Sequence, residues 1–224
     1  MLVSFGCSSE TENTNTAVNA PVNAPANTVA ETEPEIDVNA PFVPSANPKD
    51  DLLNSTKRLQ AYNAWSATLE NNLMPEMKTE LEYSKPDRYR IKNPLSEVIV
   101  IGSDGYIKEQ DKWKKIPEDI GAQIEAMKKS FNAESMKTIK EVSKSDTEKI
   151  DGKDAILYTY SIEPGPNTPN NSTKVWIAKD SGLPLKIIVE TVNADATQRV
   201  TTIYNYTKQV KIEAPKTVEE TEAP

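Results

Sequence analysis

Six carboxylates stand at turn-like places in the middle of this 224-residue chain: Asp87, Asp104, Glu109, Asp111, Asp151 and Asp154. A pair of acids is a catalytic device the composition leaves open, because two carboxyl groups suffice to hydrolyse a glycosidic bond. The sequence has no histidine, so neither a Ser/His/Asp nor a Cys/His relay can be assembled, and the commonest general base and metal ligand is missing. There is no CxxC pair, no Gly-rich phosphate loop and only seven glycines in all, which removes the redox, P-loop and dinucleotide fingerprints. Each of the six acids lies at a strand end or beside Gly or Pro, where a carboxylate faces water and shapes a turn. The expectation is a non-enzyme with no catalytic residue, no metal site and no cofactor.

The remaining reactive group is the only thiol, Cys7, in MLVSFGCSSE. Leu2, Val3, Ser4, Phe5, Gly6 and Cys7 read as the tail of a bacterial lipoprotein signal: a short apolar run, a small residue, then the cysteine that becomes the acylated N-terminus. No positively charged start and no apolar run of the ~7–15 residues found in a secretory signal precede it, and Ser4 stands where the pattern prefers leucine. Lipidation at Cys7 is the expectation, and an incidental thiol is the alternative.

Residues 8–48 support the anchor. They are rich in Asn, Thr, Ala, Pro and Glu, contain the near-repeat NAPVNAPAN, and hold almost no large apolar side chain. Such a composition buries too little surface to offset chain entropy, and a coil of roughly 40 residues spans about 35 Å r.m.s.. The reading is a disordered tether. It carries six acidic and no basic residues; the C-terminal EAPKTVEETEAP, residues 213–224, adds four Glu and one Lys, and 214–224 is read as a disordered acidic tail. With a formal charge of −8 for the whole chain, the middle is left near neutral, without the basic stripe that nucleic acid requires. No run of ≥ 18 apolar residues offers a membrane-spanning helix.

The elements between residues 49 and 213 alternate in period. Asn47, Pro48, Asp50 and Asp51 signal a helix start, with Leu52, Leu53, Thr56 and Leu59 on one face. Beyond Gln60 the period is two. Met77, Thr79, Leu81 and Tyr83 alternate with charges, turn at Lys85-Pro86-Asp87, and return through Tyr89 and Ile91. SEVIVIGSDGYIKE is a second hairpin, turning at Ser103-Asp104-Gly105. IPEDIGAQIEAMKKSF places Ile116, Ile120, Ile124, Met127 and Phe131 at helical spacing, and a short helical turn covers Glu134 to Thr138. Strand pairs joined at Asp151-Gly152 and Asp180-Ser181-Gly182, then a closing strand over 197–212, complete the chain. The fold class is α+β, one domain with about ten antiparallel strands, an N-terminal helix and an amphipathic helical insert. A sheet this wide curls on its own twist, and the helices are the available cover for its concave face.

KPDRYRI, VIVIGSDGYIK, the Trp-containing turn DKWKKIP, IDGKDAILYTYSI and TKVWIAKDSGLPLKIIVE, in that order after a helix and a long strand, resemble the bacterial LolA-like superfamily, and within it the LppX/LprA/LprF/LprG-type lipoproteins. The resemblance covers residues 49–213 and rests on the order of several weak motifs. It implies a half-closed antiparallel β-barrel whose hydrophobic cavity holds acyl chains of lipids or lipoproteins and carries them through the cell envelope. It implies that Trp65, Ala67, Leu69, Met77, Leu81, Tyr83, Tyr89, Ile91, Val98, Val100, Tyr158 and Tyr160 line that cavity. It implies a lid face of Ile116, Ile120, Ile124, Met127 and Phe131, with Lys85, just before Pro86, as the basic residue that ties the lid shut. Each of these apolar residues has a plain core reading as well. Two functions follow: a lipid-anchored, periplasm-facing lipoprotein with a cavity of several hundred Å3 for acyl chains, or an interaction or sensor module of the same fold with a filled cavity and an envelope-protein partner.

Overall fold

The computed structural model describes residues 36–130, 135–162, 171–192 and 196–218. Its first element, α1 (Pro48–Ala61), begins at the cap the residues specify: Asn47 Oδ1 accepts the N–H of Lys49 at 3.2 Å, and Pro48 takes the first helical position. Six strands follow: β1 (Ala64–Asn71), β2 (Met74–Ser84), β3 (Arg88–Lys92), β4 (Glu97–Ile101), β5 (Asp104–Glu109) and β6 (Lys112–Ile116). Then come α2 (Ile120–Ser130) and a 3₁₀ turn (Ser135–Thr138). A second run comprises β7 (Ile139–Ile150), β8 (Lys153–Ile162), β9 (Asn171–Ala178), β10 (Pro184–Val192) and β11 (Thr197–Asn205).

All eleven strands join one antiparallel sheet in the order β6-β5-β4-β3-β2-β1-β11-β10-β9-β8-β7. Each run is a meander of hairpins, and the first and last strands meet in the middle, Ser66 opposite Asn205. The two edges are β6 and β7, and the connection between them carries α2. The result is the curled, open half-barrel with helices that the alternating pattern called for. The strand beyond the expected ten is β6: DKWKKIP is a strand and not a turn. Ile116, assigned to the lid helix, is its last residue, because Pro117 ends the strand and α2 starts only at Ile120. The β4–β5 turn also falls earlier, at Gly102 and Ser103.

Register fixes the faces. Leu69, Thr202, Ile187, Val175 and Tyr158 lie in one cross-strand row, each opposite the next, so the N- and C-terminal halves share one inner face. Over β7 to β10 that face is packed solid: Phe42, Leu52, Ile139, Ile156, Tyr158, Val175 and Ile177 form a buried cluster beneath α1. A smaller cluster of Ala155, Trp176, Ala178 and Leu185 covers the outer face. There the Trp176 indole donates to Glu148 Oε2 at 2.8 Å and lies 5.2 Å beneath the Lys186 ammonium.

The inner face of α1 is partly polar, which the apolar positions alone did not reveal. Asp51, Leu52, Ser55 and Arg58 are buried. Asp51 accepts from the Ser45 N–H at 2.6 Å, the Tyr158 hydroxyl at 2.7 Å and the Lys144 ammonium at 3.2 Å. Arg58 donates to the Ala40 and Ser181 carbonyls at 2.8 and 3.0 Å and stacks 5.8 Å from the Phe42 ring centre. Lys49 Nζ donates to the Ile139 carbonyl at 2.7 Å. Buried polar groups of this kind are stable only when their partners are supplied; Asp51 and Arg58 draw theirs from residues 40–45, β7, β8 and the β9–β10 turn, while the buried Ser55 hydroxyl has no hydrogen-bond partner among the described residues.

Packing begins upstream of residue 49. Phe42 is buried, its N–H donates to the Asp180 carbonyl at 3.1 Å, and its ring occupies the space above Gly182. Gly182 has φ +69°, and a Cβ there would lie 2.6 Å from Phe42 Cδ2, so both the backbone and the neighbouring ring demand glycine. At the other end Ile212 is buried, its carbonyl accepting from Arg88 at 2.7 Å, while Lys208 pairs with Glu82 at 2.7 Å.

Candidate functional site

Between α1, α2 and the first three strands the inner face is not filled. An open-sided cavity of about 210 Å3 lies there, bounded by Leu59 and Gln60 of α1, Trp65 of β1, Leu81, Glu82 and Tyr83 of β2, Tyr89 and Ile91 of β3, and Ile124 of α2. Its wall is almost wholly apolar. A larger groove of about 390 Å3 is bordered by Ser66, Glu80, Asp151, Lys153 and Lys208 among others. Its charged border gives an apolar ligand no shelter, so the smaller cavity is the candidate site.

The pleat explains why these side chains converge. Trp65 stands opposite Tyr83, Tyr83 opposite Tyr89, and Leu81 opposite Ile91, so a two-residue period on three neighbouring strands delivers one continuous patch. Aromatic contact runs along it. Ring centres are 5.1 Å apart for Tyr83 and Tyr89, 5.6 Å for Trp65 and Tyr83, and 5.5 Å for Trp65 and Tyr204. The series continues through Tyr206, stacked at 6.1 Å on Tyr204, to Tyr62, edge-on at 5.2 Å. Such pairs hold large rings in fixed orientations. Burial pushes the Tyr204 phenol up to about 12 and raises Tyr158, Tyr160 and Tyr206 as well. Those four hydroxyls stay neutral.

α2 closes the cavity from the side of β4 and β5. Its first turn rests backbone to backbone on the β4–β5 turn: a Cβ at Gly121 would lie 1.9 Å from the Gly102 carbonyl oxygen and 2.8 Å from its carbon. Gly105 makes room in the same way, since its missing side chain would meet Ile116 and Ile120 at 3.2–3.3 Å. Gly121→Val is therefore expected to lift the first turn of α2 from the sheet. Hydrogen exchange would read this as roughly tenfold or greater loss of protection in α2 amides, with β8 and β9 unchanged. Full protection retained in α2 would show that the contact does not seat the helix.

The structure brings six of the residues named from sequence to this cavity: Trp65, Leu81, Tyr83, Tyr89, Ile91 and Ile124. Ala67 and Val100 are buried in the same rows, beside Leu81 and Tyr89 respectively. Leu69, Met77 and Val98 are half-buried and outside its wall. Tyr158 belongs to the packed cluster under α1, hydrogen-bonded to Asp51, and Tyr160 packs against that cluster. Strand alternation gives the face of a residue but not what covers it, and the packed cluster beneath α1 takes up these two. Ile116 and Ile120 pack around Gly105. Lys85 is exposed in the β2–β3 turn, its N–H donating to the Asn63 carbonyl at 2.8 Å. The Met127 side chain, Phe131 and Cys7 lie outside the described residues. Leu59, Gln60 and Glu82 bound the cavity without having been named for it, and Tyr204 and Tyr206 extend the aromatic series. The i, i+2 spacing in IYNY was the available signal for the two tyrosines. Among the described residues no group of His, Cys, Asp or Glu is placed to hold a metal, and no helix is long and apolar enough to cross a membrane.

Solved structures with this architecture exist. The lipoprotein LppX of Mycobacterium tuberculosis superposes with a TM-score of 0.56 at 14% identity, over 74% of this chain and 98% of its own. LprF of Mycobacterium bovis gives 0.55 at 13% identity, over 77% of this chain and 98% of its own. The chain has the LolA-like half-barrel fold of the LppX and LprF type. No protein-family model matches the sequence, and no curated protein does.

Proposed function

We propose that this protein is a non-enzymatic, lipid-anchored lipoprotein of the bacterial cell envelope that binds an acyl chain of a lipid or lipoprotein and carries or transfers it. The apolar cavity between α1, α2 and β1–β3 is the observation that carries the reading. Its nearly unbroken apolar wall offers transfer energy to a hydrocarbon and no directed polar group for chemistry. The shared fold with LppX, itself a lipoprotein, supports it. At about 210 Å3, and taking roughly 30 Å3 for a group the size of one water, the space suits about seven methylenes. That is one stretch of one chain, less than the several hundred Å3 expected.

Native mass spectrometry of the full chain, purified without detergent and followed by organic extraction, tests this. A lipid near one per protein is the expected result. A bare mass, unchanged after incubation with phospholipid vesicles, would overturn it. It would also favour the second reading, an interaction or sensor module, to which the small volume points. The anchor has its own test. Behind a complete signal, Cys7→Ala is expected to move the protein from the membrane fraction to the soluble one, since two chains on one cysteine suffice for stable attachment. An unchanged distribution would remove Cys7 from the proposal.

A further inference from the structure

We infer that one end of the sheet is a bilayer-docking rim, built from the β1–β2 and β3–β4 hairpin tips and the neighbouring end of β10. Among the described residues six large apolar side chains are markedly exposed, and four of them stand at this end: Leu73, Met74, Leu95 and Val192, from 47 to 79% exposed. Strand direction places them together. β1 ends and β2 begins there, with Asn71 opposite Met74; β3 ends and β4 begins, with Lys92 opposite Glu97; β10 ends and β11 begins, with Val192 opposite Thr197. In the sheet these strands run β4-β3-β2-β1-β11-β10, so the tips are consecutive, about two strand spacings or ~10 Å apart.

The β1–β2 and β3–β4 tips are also prepared for a medium that offers no hydrogen bonds. The Leu73 N–H donates to Asn71 Oδ1 at 3.0 Å, and the Leu95 and Ser96 N–H groups donate to Asn93 Oδ1 at 2.9 and 2.8 Å. Asn72 ties two tips to each other, accepting from the Arg199 N–H at 2.6 Å and donating to the Thr197 carbonyl at 3.1 Å. Backbone groups that reach the hydrocarbon need such internal partners. Of the charges beside the tips, Lys78 pairs with Glu70 at 2.9 Å and Arg199 with Glu190 at 2.7 Å, and the exposed apolar side chains rather than charge are what the attachment uses. Separate apolar points along a curved edge suit a fluid bilayer, whereas a protein partner requires a contiguous complementary patch. The inference does not rest on the cavity holding a lipid: docking and uptake are read separately.

The test uses the full chain with Cys7→Ala, which removes its only thiol, and vesicles of neutral phosphatidylcholine. Single cysteines carrying a polarity-sensitive fluorophore are placed at Leu73, Leu95 and Val192. A fourth replaces exposed Val43, next to Phe42, whose N–H meets Asp180 in the β9–β10 turn at the opposite end. The expected result is a blue shift, quenched by spin-labelled lipid and insensitive to salt, at the three tips and not at 43. The double variant Leu73→Asp with Leu95→Asp is expected to lower the vesicle-bound fraction about tenfold or more; both side chains are exposed, so the fold is not at stake. No shift at any tip would overturn the inference and assign the tips to a protein partner. An equal shift at Val43, or binding that requires anionic lipid and vanishes in salt, would overturn it as well.

Discussion

Asp51→Ala is expected to lower the unfolding free energy by about 3–5 kcal/mol, the usual cost of removing one partner from a buried ion pair. Asp51 is 1% exposed and gathers three donors from separate parts of the chain: the Ser45 N–H, the Tyr158 hydroxyl and the Lys144 ammonium. Alanine leaves the Tyr158 hydroxyl buried without its acceptor and loosens α1 from β7 and β8. Lys144, about one-third exposed, can turn to water, which draws the loss toward the lower bound. In a domain of this size the midpoint of thermal unfolding falls by about 2–4 °C per kcal/mol, hence roughly 10 °C. Asp51→Asn keeps a side-chain acceptor and is expected to lose about half as much. Urea unfolding monitored by tryptophan fluorescence reads both, and a loss below about 1 kcal/mol for the alanine variant would show that the triad does not hold the helix.

The second large effect concerns the cavity. Ile91→Trp sets an indole into the wall between Leu81 and Val98 and is expected to lower co-purifying lipid about tenfold or more. Thr68→Trp adds the same bulk on the opposite face of β1 and serves as the control. Lipid lost from Ile91→Trp alone locates the ligand. Equal loss from both would mean that the sheet was disturbed, and no loss from either would remove this cavity as the lipid site.

Much of this architecture is legible in the residues, for local reasons. Asn47-Pro48 starts α1, Asp151-Gly152 and Asp180-Ser181-Gly182 turn two hairpins, and the two-residue period of MKTELEYS and DRYRIK sets the cavity wall opposite itself. What was not legible depends on partners distant in sequence. Phe42 sits in a stretch of Asn, Pro and Ala whose average composition reads as tether, yet one ring docked on Gly182 extends the packed domain to it. Asp51 and Arg58 are polar and are buried all the same, because β7, β8 and the β9–β10 turn supply their hydrogen bonds. Ile116 matches the helical spacing of Ile120 and Ile124, but strand β6 claims it first. That strand alternates lysine with Trp113 at the open edge of the sheet, where charge beside a single large ring disguises a strand as a turn.

The joining of the first and last strands at the centre of the sheet governs how the molecule is made. Ser66 and Asn205 are 139 residues apart, and a ribosome adding about 5–20 residues per second delivers the second partner roughly 7–30 s after the first. For that interval the nascent β1 carries an unpaired row of N–H and C=O groups, a template for pairing with other chains. The two meanders can form from neighbouring hairpins, but their union waits for the slowest kind of contact, one between distant parts of the chain. The last strand to be synthesised is the one that joins the halves.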